Sequence, residues 1–241
     1  MPVERYYLKD SLTEKTEVLL QGTELHHLYR VMRGKIGDSI ELVNGAGCLA
    51  IGTVVELDQK KAKIFIKECK TFSLITKVIL AQALVKPNKL DFILEKGTEL
   101  GVDEFWLFPA EHSIKSELSS NQMERAQALT IAAMKQCGRL TLPKITLMPP
   151  LSKWEKFSPY SFYGDLNPAA PLFLDSLQKQ TSCPSITFFI GPESGWSNNE
   201  KKILNEKGVM AVKLHRYILR TETAPLVALS LIHYFFTYKN G

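Results

Sequence analysis

In the first third of the chain, polar and apolar residues alternate in short runs, a pattern typical of half-buried β-strands. Asn44-Gly45 separates two of these runs and favours a tight hairpin between them. One stretch, residues 23–32, has apolar positions at helical spacing. We therefore expect residues 1–72 to form a compact barrel or curled sheet with a single helix. The predicted strands are 38–43, 49–57 and 62–67.

From residue 77 the pattern changes to short apolar runs that alternate with longer stretches of helical periodicity. This alternation predicts an α/β domain with a mostly parallel sheet and helices on its faces, spanning residues 73–241. Ser197 and Glu200 have the spacing of a capping box and predict a helix start. The predicted strands are 78–84, 105–108, 145–148, 161–166, 186–190 and 209–214. The predicted helices begin at Asn88, 121, 197 and 224 and end near Gly101, 137, Gly208 and 238.

Two polar loops follow apolar strands near the end of the chain. Gly191-Pro192-Glu193-Ser194-Gly195 follows strand 186–190, and Arg220-Thr221-Glu222-Thr223 precedes the last helix. Open α/β sheets bind ligands at such strand ends, so the two loops predict one shared pocket. The first loop lacks both the lysine and hydroxyl of a phosphate-cradling loop and the spacing of a dinucleotide fingerprint. A nucleoside cofactor without a pyrophosphate needs neither.

Each loop also has a simpler interpretation. The first is compatible with a tight strand-to-helix connection whose Glu193 lies in solvent; in a pocket, Glu193 would meet a ribose hydroxyl or a positive charge. The second is compatible with an ordinary helix cap, Thr221 or Thr223, beside an incidental pair between Arg220 and Glu222. Capping accounts for one threonine and leaves Arg220 unexplained.

The composition, 45% hydrophobic and 23% charged, is ordinary for a soluble globular protein. Its longest apolar stretches are too short to span a bilayer, and residues 1–5 lack the apolar core of a secretory signal. We therefore expect a cytoplasmic protein with no membrane span. The net charge of +5 permits nucleic-acid binding without demonstrating it, because many unrelated enzymes carry as much.

The four cysteines are widely spaced and form no CxxC pair, and the adjacent His26 and His27 point in different directions on a helix. This pattern argues against a disulfide framework and against a structural zinc site. We expect no metal.

Several segments resemble the bacterial 16S ribosomal RNA (uracil-N3)-methyltransferases of the RsmE family, members of the knotted SPOUT superfamily. They are Gly-Pro-Glu at 191–193, Leu-Arg-Thr-Glu-Thr-Ala at 219–224, Lys-Leu-Asp-Phe at 89–92, Glu-Leu-Gly-Val at 99–102, Gln-Cys-Gly-Arg at 136–139 and His-Leu-Tyr-Arg-Val-Met-Arg at 27–33. The resemblance covers nearly the full length. It implies a PUA-like RNA-binding barrel over 1–72 and a methyltransferase domain over 73–241 whose end threads a trefoil knot. Pattern rules alone predict an unknotted sheet.

The resemblance also implies a function and its residues. The activity is methylation of N3 of a uridine in 16S rRNA, as free RNA or in the 30S subunit, by a homodimer that uses S-adenosylmethionine. The implied cofactor residues are Ile190, Gly191, Pro192, Glu193, Gly195, Leu214, Ile218, Leu219, Thr221 and Thr223. Arg220 is the implied catalytic residue, with Glu222 orienting it, and either Glu193 or water accepts the proton. The candidate RNA contacts are Arg5, Arg30, Arg33, Lys86, Lys89, Gln136 and Arg139.

Three segments depart from the family pattern. Ser194 replaces a usual glycine, Lys135 replaces a frequent glutamate, and His215-Arg216-Tyr217 stands where Gly-Pro-Arg is common, so that Tyr217 replaces an arginine. Two other functions therefore stay open. The altered glycine loop favours an RNA-binding assembly factor without catalysis, and the α/β pattern alone is compatible with a small-molecule enzyme that uses another nucleotide.

Overall fold

The computed structural model describes residues 4–72, 76–179 and 184–240, with side chains to residue 236. The described chain forms two compact units. The first contains the described residues up to 72 together with Met134–Leu142, and the second contains the remainder. The predicted boundary after residue 72 borders segment 73–75, which lies outside the described residues, and it stays a prediction. Cys183 of the cysteine prediction also lies outside them.

The first unit is a five-stranded sheet with strand order β1-β3-β4-β5-β2. Its strands are β1 (Arg5–Tyr7), β2 (Glu17–Leu20), β3 (Ser39–Val43), β4 (Cys48–Leu57) and β5 (Ala62–Thr71). Two register shifts between β4 and β5 disrupt the ladder locally, and such bulges bend a sheet. One face buries apolar side chains that include Tyr6, Leu42 and Ile64. The predicted β-rich unit is confirmed.

Local details of this unit differ from the sequence pattern. The Asn44 hairpin joins β3 to β4, but its loop has four residues, because the Asn44 side chain accepts from the amides of Ala46 and Cys48 at 2.9 and 3.1 Å. These bonds build a local turn that competes with a two-residue connection. The predicted helix 23–32 is α1 (Gly22–His26) followed by a π-helical turn, His27–Val31.

The second unit is a six-stranded, all-parallel sheet with order β11-β9-β10-β6-β7-β8. Its strands are β6 (Lys77–Ala83), β7 (Glu104–Phe108), β8 (Lys144–Leu147), β9 (Ser161–Gly164), β10 (Ser185–Ile190) and β11 (Met210–Val212). Its helices are α2 (Pro87–Glu99), α3 (Ser120–Cys137), α4 (Phe173–Gln178), α5 (Asn198–Glu206) and α6 (Ala224–Asn240). The last residues of α3 cluster with the first unit. The predicted α/β class is confirmed, and the knotted path stays a prediction.

Two predictions of local structure need correction. The helix expected to start at Asn88 begins one residue earlier, because Pro87 supplies a helical φ and Lys86 occupies the cap position without a side-chain cap bond. Helix α4 was not expected, since the proline-rich segment around it has no readable periodicity.

The central strands β6 and β10 are buried on both faces. On β10, Phe188 packs in one apolar cluster with α2 and α6, while Phe189 packs in a second cluster with Trp154 and Leu204 of α5. A strand covered on both sides has no polar face, which explains why residues 186–190 are a nearly continuous apolar run. This rigid centre fixes the position at which β10 ends and the Gly-Pro-Glu loop begins.

The predicted capping box at the start of α5 is confirmed. Ser197 Oγ accepts from the Glu200 amide, and Glu200 Oε2 accepts from the Ser197 amide, both at 3.0 Å. We expect Ser197→Ala to lower the free energy of unfolding by about 1 kcal/mol, the typical effect of a lost N-cap. Urea denaturation measures this, and the exposed Ser152→Ala serves as the matched control. Equal midpoints for Ser197→Ala and the parent would contradict the prediction.

Candidate cofactor pocket at the sheet edge

A cavity of about 560 Å³ lies at the carboxyl ends of β9 and β10 and beside the segment after β11. Gly164 is the last residue of β9, Ile190 is the last of β10, and Leu214 follows β11 by two residues. All three line the cavity. Its volume is within the range of small-molecule sites, and its position is that at which open α/β sheets bind ligands.

Thr221 joins the two loops that wall the cavity. Its hydroxyl donates to the Gly191 carbonyl oxygen at 2.7 Å and lies 3.4 Å from Nε2 of Gln82, a buried residue of β6. Thr221 lies three residues before Ala224, where α6 begins, so Thr223 and not Thr221 occupies the cap position of the last helix. The expected shared pocket depends on this bond between loops 30 residues apart in the chain.

The glycine-containing loop is shaped by Gly191, Gly195 and Trp196. A Cβ on Gly191 would lie 3.1 Å from the Trp196 indole, so a side chain there would require the indole to shift by a few tenths of an ångström. The indole Nε1 donates to the Gly164 carbonyl at 3.2 Å, which fixes Trp196 against the end of β9. Gly195 has φ of +77°, in the region that favours glycine.

Ser194 therefore fits the loop without strain. Among the described non-glycine residues, positive φ angles occur at Lys15 and Arg33, so Ser194 does not need the conformation that a glycine would supply. The conformational requirement falls on Gly195, which is retained. The departure at residue 194 does not disturb the loop.

Lys89, in the first turn of α2, lies between carboxylates of both loops. Its Nζ is 3.1 Å from Glu222 Oε2 and 3.7 Å from Glu193 Oε1. Burial raises the pKa of the Glu222 carboxyl, but its own backbone amide, Lys89 and Arg220 together hold that pKa below its ordinary value. Glu222 is therefore ionised at neutral pH. Lys89 is a cavity-lining residue that pairs with both loops, whereas the sequence predicted an RNA contact.

Arg220 lines the cavity mouth and points largely into solvent. Its side chain is 84% exposed, and its Nη1 lies 4.0 Å from Glu222 Oε1. Glu222 thus has a closer partner in Lys89 than in Arg220. The guanidinium keeps its donors available for a ligand at the mouth, and Lys89 rather than Arg220 is the main ionic partner of Glu222.

Most of the cofactor residues expected from the sequence line this cavity: Ile190, Gly191, Pro192, Glu193, Gly195, Leu214, Ile218, Leu219 and Thr221. Thr223 is not among the lining residues, and neither is Glu222, which contacts the cavity through Lys89.

Sequence reasoning missed Asp165, Trp196 and Lys201, which also line the cavity. Asp165 Oδ1 accepts from Lys201 Nζ at 2.6 Å within the lining. The two residues are 36 positions apart, and no local pattern marks them as partners.

The candidate RNA residues are distributed over both units. Gln136 and Arg139 fall within the predicted domain 73–241, and the structure groups them with the first unit. Arg30, Arg33, Lys86 and Gln136 are exposed. Arg5 is less available, because its Nε is 2.5 Å from Glu41 Oε2 and its side chain is mostly buried. Lys135, the second departure, pairs with Glu24 at 2.7 Å within the first unit.

In the described part of the chain, no helix is long and apolar enough to cross a membrane. No group of three or more His, Cys, Asp or Glu side chains is placed to hold a metal ion among these same residues.

Comparison with known proteins decides the family. Residues 73–233 match the model of the RNA methyltransferase domain family, and residues 20–67 match the RNA methyltransferase PUA domain family. Together with a relative of that name that is 30% identical over 96% of the chain, these matches show that the chain belongs to the small-subunit ribosomal RNA methyltransferase E family. The family resemblance inferred from the sequence motifs is therefore confirmed.

Individual relatives match over nearly the full length of the chain. It is 30% identical over 251 residues to ribosomal RNA small subunit methyltransferase E of Bacillus subtilis, covering 96% of each chain. The corresponding Buchnera aphidicola protein is 28% identical, with coverage of 97% and 94%. Among solved structures, the Neisseria gonorrhoeae enzyme bound to S-adenosyl methionine is 28% identical with a TM-score of 0.85, covering 96% of this chain and 97% of that one.

Proposed function

We propose that this protein transfers a methyl group from S-adenosylmethionine to N3 of a uridine in 16S ribosomal RNA. One observation carries the proposal. In a chain of the methyltransferase E family, two strand-end loops joined by Thr221 enclose a nucleoside-sized cavity, and the Arg220 side chain is 84% exposed at its mouth. Methylation of small-subunit rRNA is the activity named for the relatives, and the uridine N3 position is inferred from the sequence motifs.

The residues of the cavity fit S-adenosylmethionine. Gly191 lines the cavity and carries no side chain, which lets a flat adenine approach its backbone. Ile190, Leu214 and Leu219 supply an apolar lining. Glu193 Oε2 is buried and has no hydrogen-bond partner among the described residues, so it is available to accept from a ribose hydroxyl.

Arg220 is the proposed catalytic residue. When bound, S-adenosylmethionine supplies an electrophilic methyl group whose bond to sulfur breaks with its electron pair staying on sulfur. Uracil N3 carries a proton at neutral pH, and loss of that proton leaves negative charge on the ring and its oxygens. The planar guanidinium of Arg220 is able to hold this charge through two parallel hydrogen bonds. The released proton goes to Glu193 or to water.

Binding of the whole substrate extends the proposal beyond the cavity. The exposed residues Arg30, Arg33, Lys86 and Gln136 are proposed RNA contacts, and the PUA unit is proposed to hold the RNA. A homodimer acting on 16S rRNA or the 30S subunit in the cytoplasm completes the proposal. The target base must leave its stack to reach the cavity.

Calorimetry with S-adenosylmethionine and its demethylated product tests the cofactor assignment. We expect saturable binding of both, weakened in Gly191→Val because the branched side chain crowds the Trp196 indole, which a Cβ alone would already approach to 3.1 Å. The exposed Ser194→Gly is the matched control and should bind as the parent does. Absence of binding at about 1 mM of either compound would remove the cofactor from the proposal.

Mapping of N3-methyluridine in 16S rRNA from cells with and without the gene tests the reaction. We expect one N3-methyluridine to disappear without the gene and to return with the parent gene but not with the Arg220→Ala gene. Unchanged rRNA modification would favour the non-catalytic assembly factor. Nothing in the loop geometry favours that alternative, since Ser194 adopts an ordinary backbone conformation.

A further inference from the structure

The turn formed by residues 215–218, here called the rim turn, places aromatic and apolar side chains in solvent at the cavity mouth. Tyr217 is 63% exposed and Ile218 is 77% exposed, and both line the cavity. A single exposed apolar residue on a surface needs no explanation. Two adjacent ones at the entrance of a ligand cavity indicate a contact surface for something that approaches the cavity.

The Tyr217 ring is held in place by its neighbours. The Arg216 guanidinium carbon lies 4.6 Å from the centre of the Tyr217 ring, within the range of a cation–π contact. The Tyr217 backbone amide donates to His215 Nδ1 at 3.2 Å, and the His215 ring lies 5.5 Å from the tyrosine ring. The ring is thus largely ordered before any ligand arrives, which reduces the entropy lost on binding.

The charges around this ring favour RNA over a protein partner. The segment 213–221 contains Lys213, Arg216 and Arg220 and no acidic residue. Arg216 and Arg220 are both exposed. An exposed aromatic ring beside exposed cations is the combination that binds single-stranded nucleic acid, in which bases stack on the ring while the cations contact the phosphates. An apolar protein surface would gain nothing from three cations here.

The exposed ring and its charged neighbours suggest a function for the tyrosine at position 217, where the family pattern has an arginine. An arginine is common at this position, and its replacement removes one charge beside the cavity. Arg216 keeps a charge within reach of the same ring. Tyr217 therefore presents an aromatic ring, with the Arg216 cation beside it, at the entrance of the cavity.

We propose that Tyr217 is a stacking platform for a base of the RNA strand next to the nucleotide that enters the cavity, and that Arg216 contacts the backbone of the same strand. This inference rests on the proposed function, because it assumes that RNA approaches the cavity mouth. It adds a site for RNA at Tyr217, which the proposed function did not include.

The test is fluorescence anisotropy with a labelled twelve-residue oligouridylate and with an abasic ribose-phosphate oligomer of the same length, over a series of salt concentrations. Stacking predicts that Tyr217→Ala weakens oligouridylate binding about fivefold or more, with an unchanged salt slope and unchanged affinity for the abasic oligomer. Tyr217→Phe retains the ring and should bind as the parent does. Arg216→Gln should reduce the salt slope for both oligomers by about 1.

Three results would overturn the proposal that Tyr217 stacks on an RNA base. They are equal oligouridylate affinity for Tyr217→Ala and the parent, an equal loss in Tyr217→Phe and Tyr217→Ala, and no oligouridylate binding by the parent. A Tyr217→Ala variant that loses self-association in sedimentation but binds RNA normally would reassign the turn to a protein interface. In each case, continued N3-methylation of 16S rRNA in cells would still support the proposed function. Failure of the Tyr217 proposal can therefore be distinguished from failure of the proposed function.

Discussion

Arg220→Ala is expected to lower the single-turnover rate of methyl transfer at least about tenfold, which corresponds to the loss of about 1.4 kcal/mol of transition-state stabilisation. S-adenosylmethionine affinity should stay within about twofold of the parent. The reason is geometric. Arg220 is 84% exposed at the cavity mouth, and its nearest described carboxylate is 4.0 Å away, so its donors are free to meet a charge that develops on the uracil.

The measurement uses saturating 16S rRNA or 30S subunits and saturating cofactor, so that the observed rate reports methyl transfer and does not depend on binding affinity. Arg220→Lys retains the charge but loses the planar fork and should recover only part of the rate. Arg125→Gln, which removes an exposed arginine of α3, is the matched control. Turnover equal to that of the parent in Arg220→Ala would remove this residue from the mechanism.

Lys89→Met is expected to weaken S-adenosylmethionine binding about tenfold and to lower the free energy of unfolding by about 1 to 2 kcal/mol at pH 7. Lys89 is the shared cation of Glu193 and Glu222, one from each cavity loop. Without it, two partly buried carboxylates lose their partner and repel each other. The side chains of all three residues are less than one quarter exposed, so solvent screening weakens these pairs only in part.

The pH dependence of this stability difference has a definite sign. The pKa of Glu222 in the folded protein is lowered from 4.5, so its ionised form contributes stability above pH 4.5, and that contribution is lost as pH falls through the lowered pKa. The gap in unfolding free energy between parent and Lys89→Met should therefore be full at pH 7 and narrow below pH 4.5. Urea denaturation across this pH range measures it.

Lys89→Arg supplies the control, since it keeps the charge and should restore most of the stability and cofactor affinity. A gap of the same size at pH 7 and well below pH 4.5 would show that Lys89 stabilises the protein through packing of its stem rather than through the carboxylates.

Sequence periodicity located nine of the eleven described strands and most helices, because each of these depends on local constraints. The two short strands β1 and β2 were not predicted. The 186–190 run reads as a buried strand since β10 is covered on both faces. Ser197 and Glu200 predicted a helix start because both partners of the capping box lie within one turn. The sequence did not predict helix α4, because the prolines around it obscure the helical periodicity.

The cofactor loops were also visible in the sequence, since glycine, proline and threonine after apolar strands mark strand ends. The ion pairs among the cavity residues could not be predicted from the sequence. The sequence predicted an RNA contact at Lys89, and the structure places its Nζ between Glu193 and Glu222, which are 104 and 133 positions away. The Asp165–Lys201 pair was missed for the same reason.

By itself, the sequence determined the family, the two-part organisation and the strand ends that form the cavity, because these follow from motifs and periodicity over short distances. Only the tertiary structure decided which charges neutralise one another, that Thr221 links the two loops, and that Arg220 and Tyr217 stand exposed at the entrance. Side-chain pairing between distant segments depends on how the parallel strands are ordered in space, and no local pattern encodes that order.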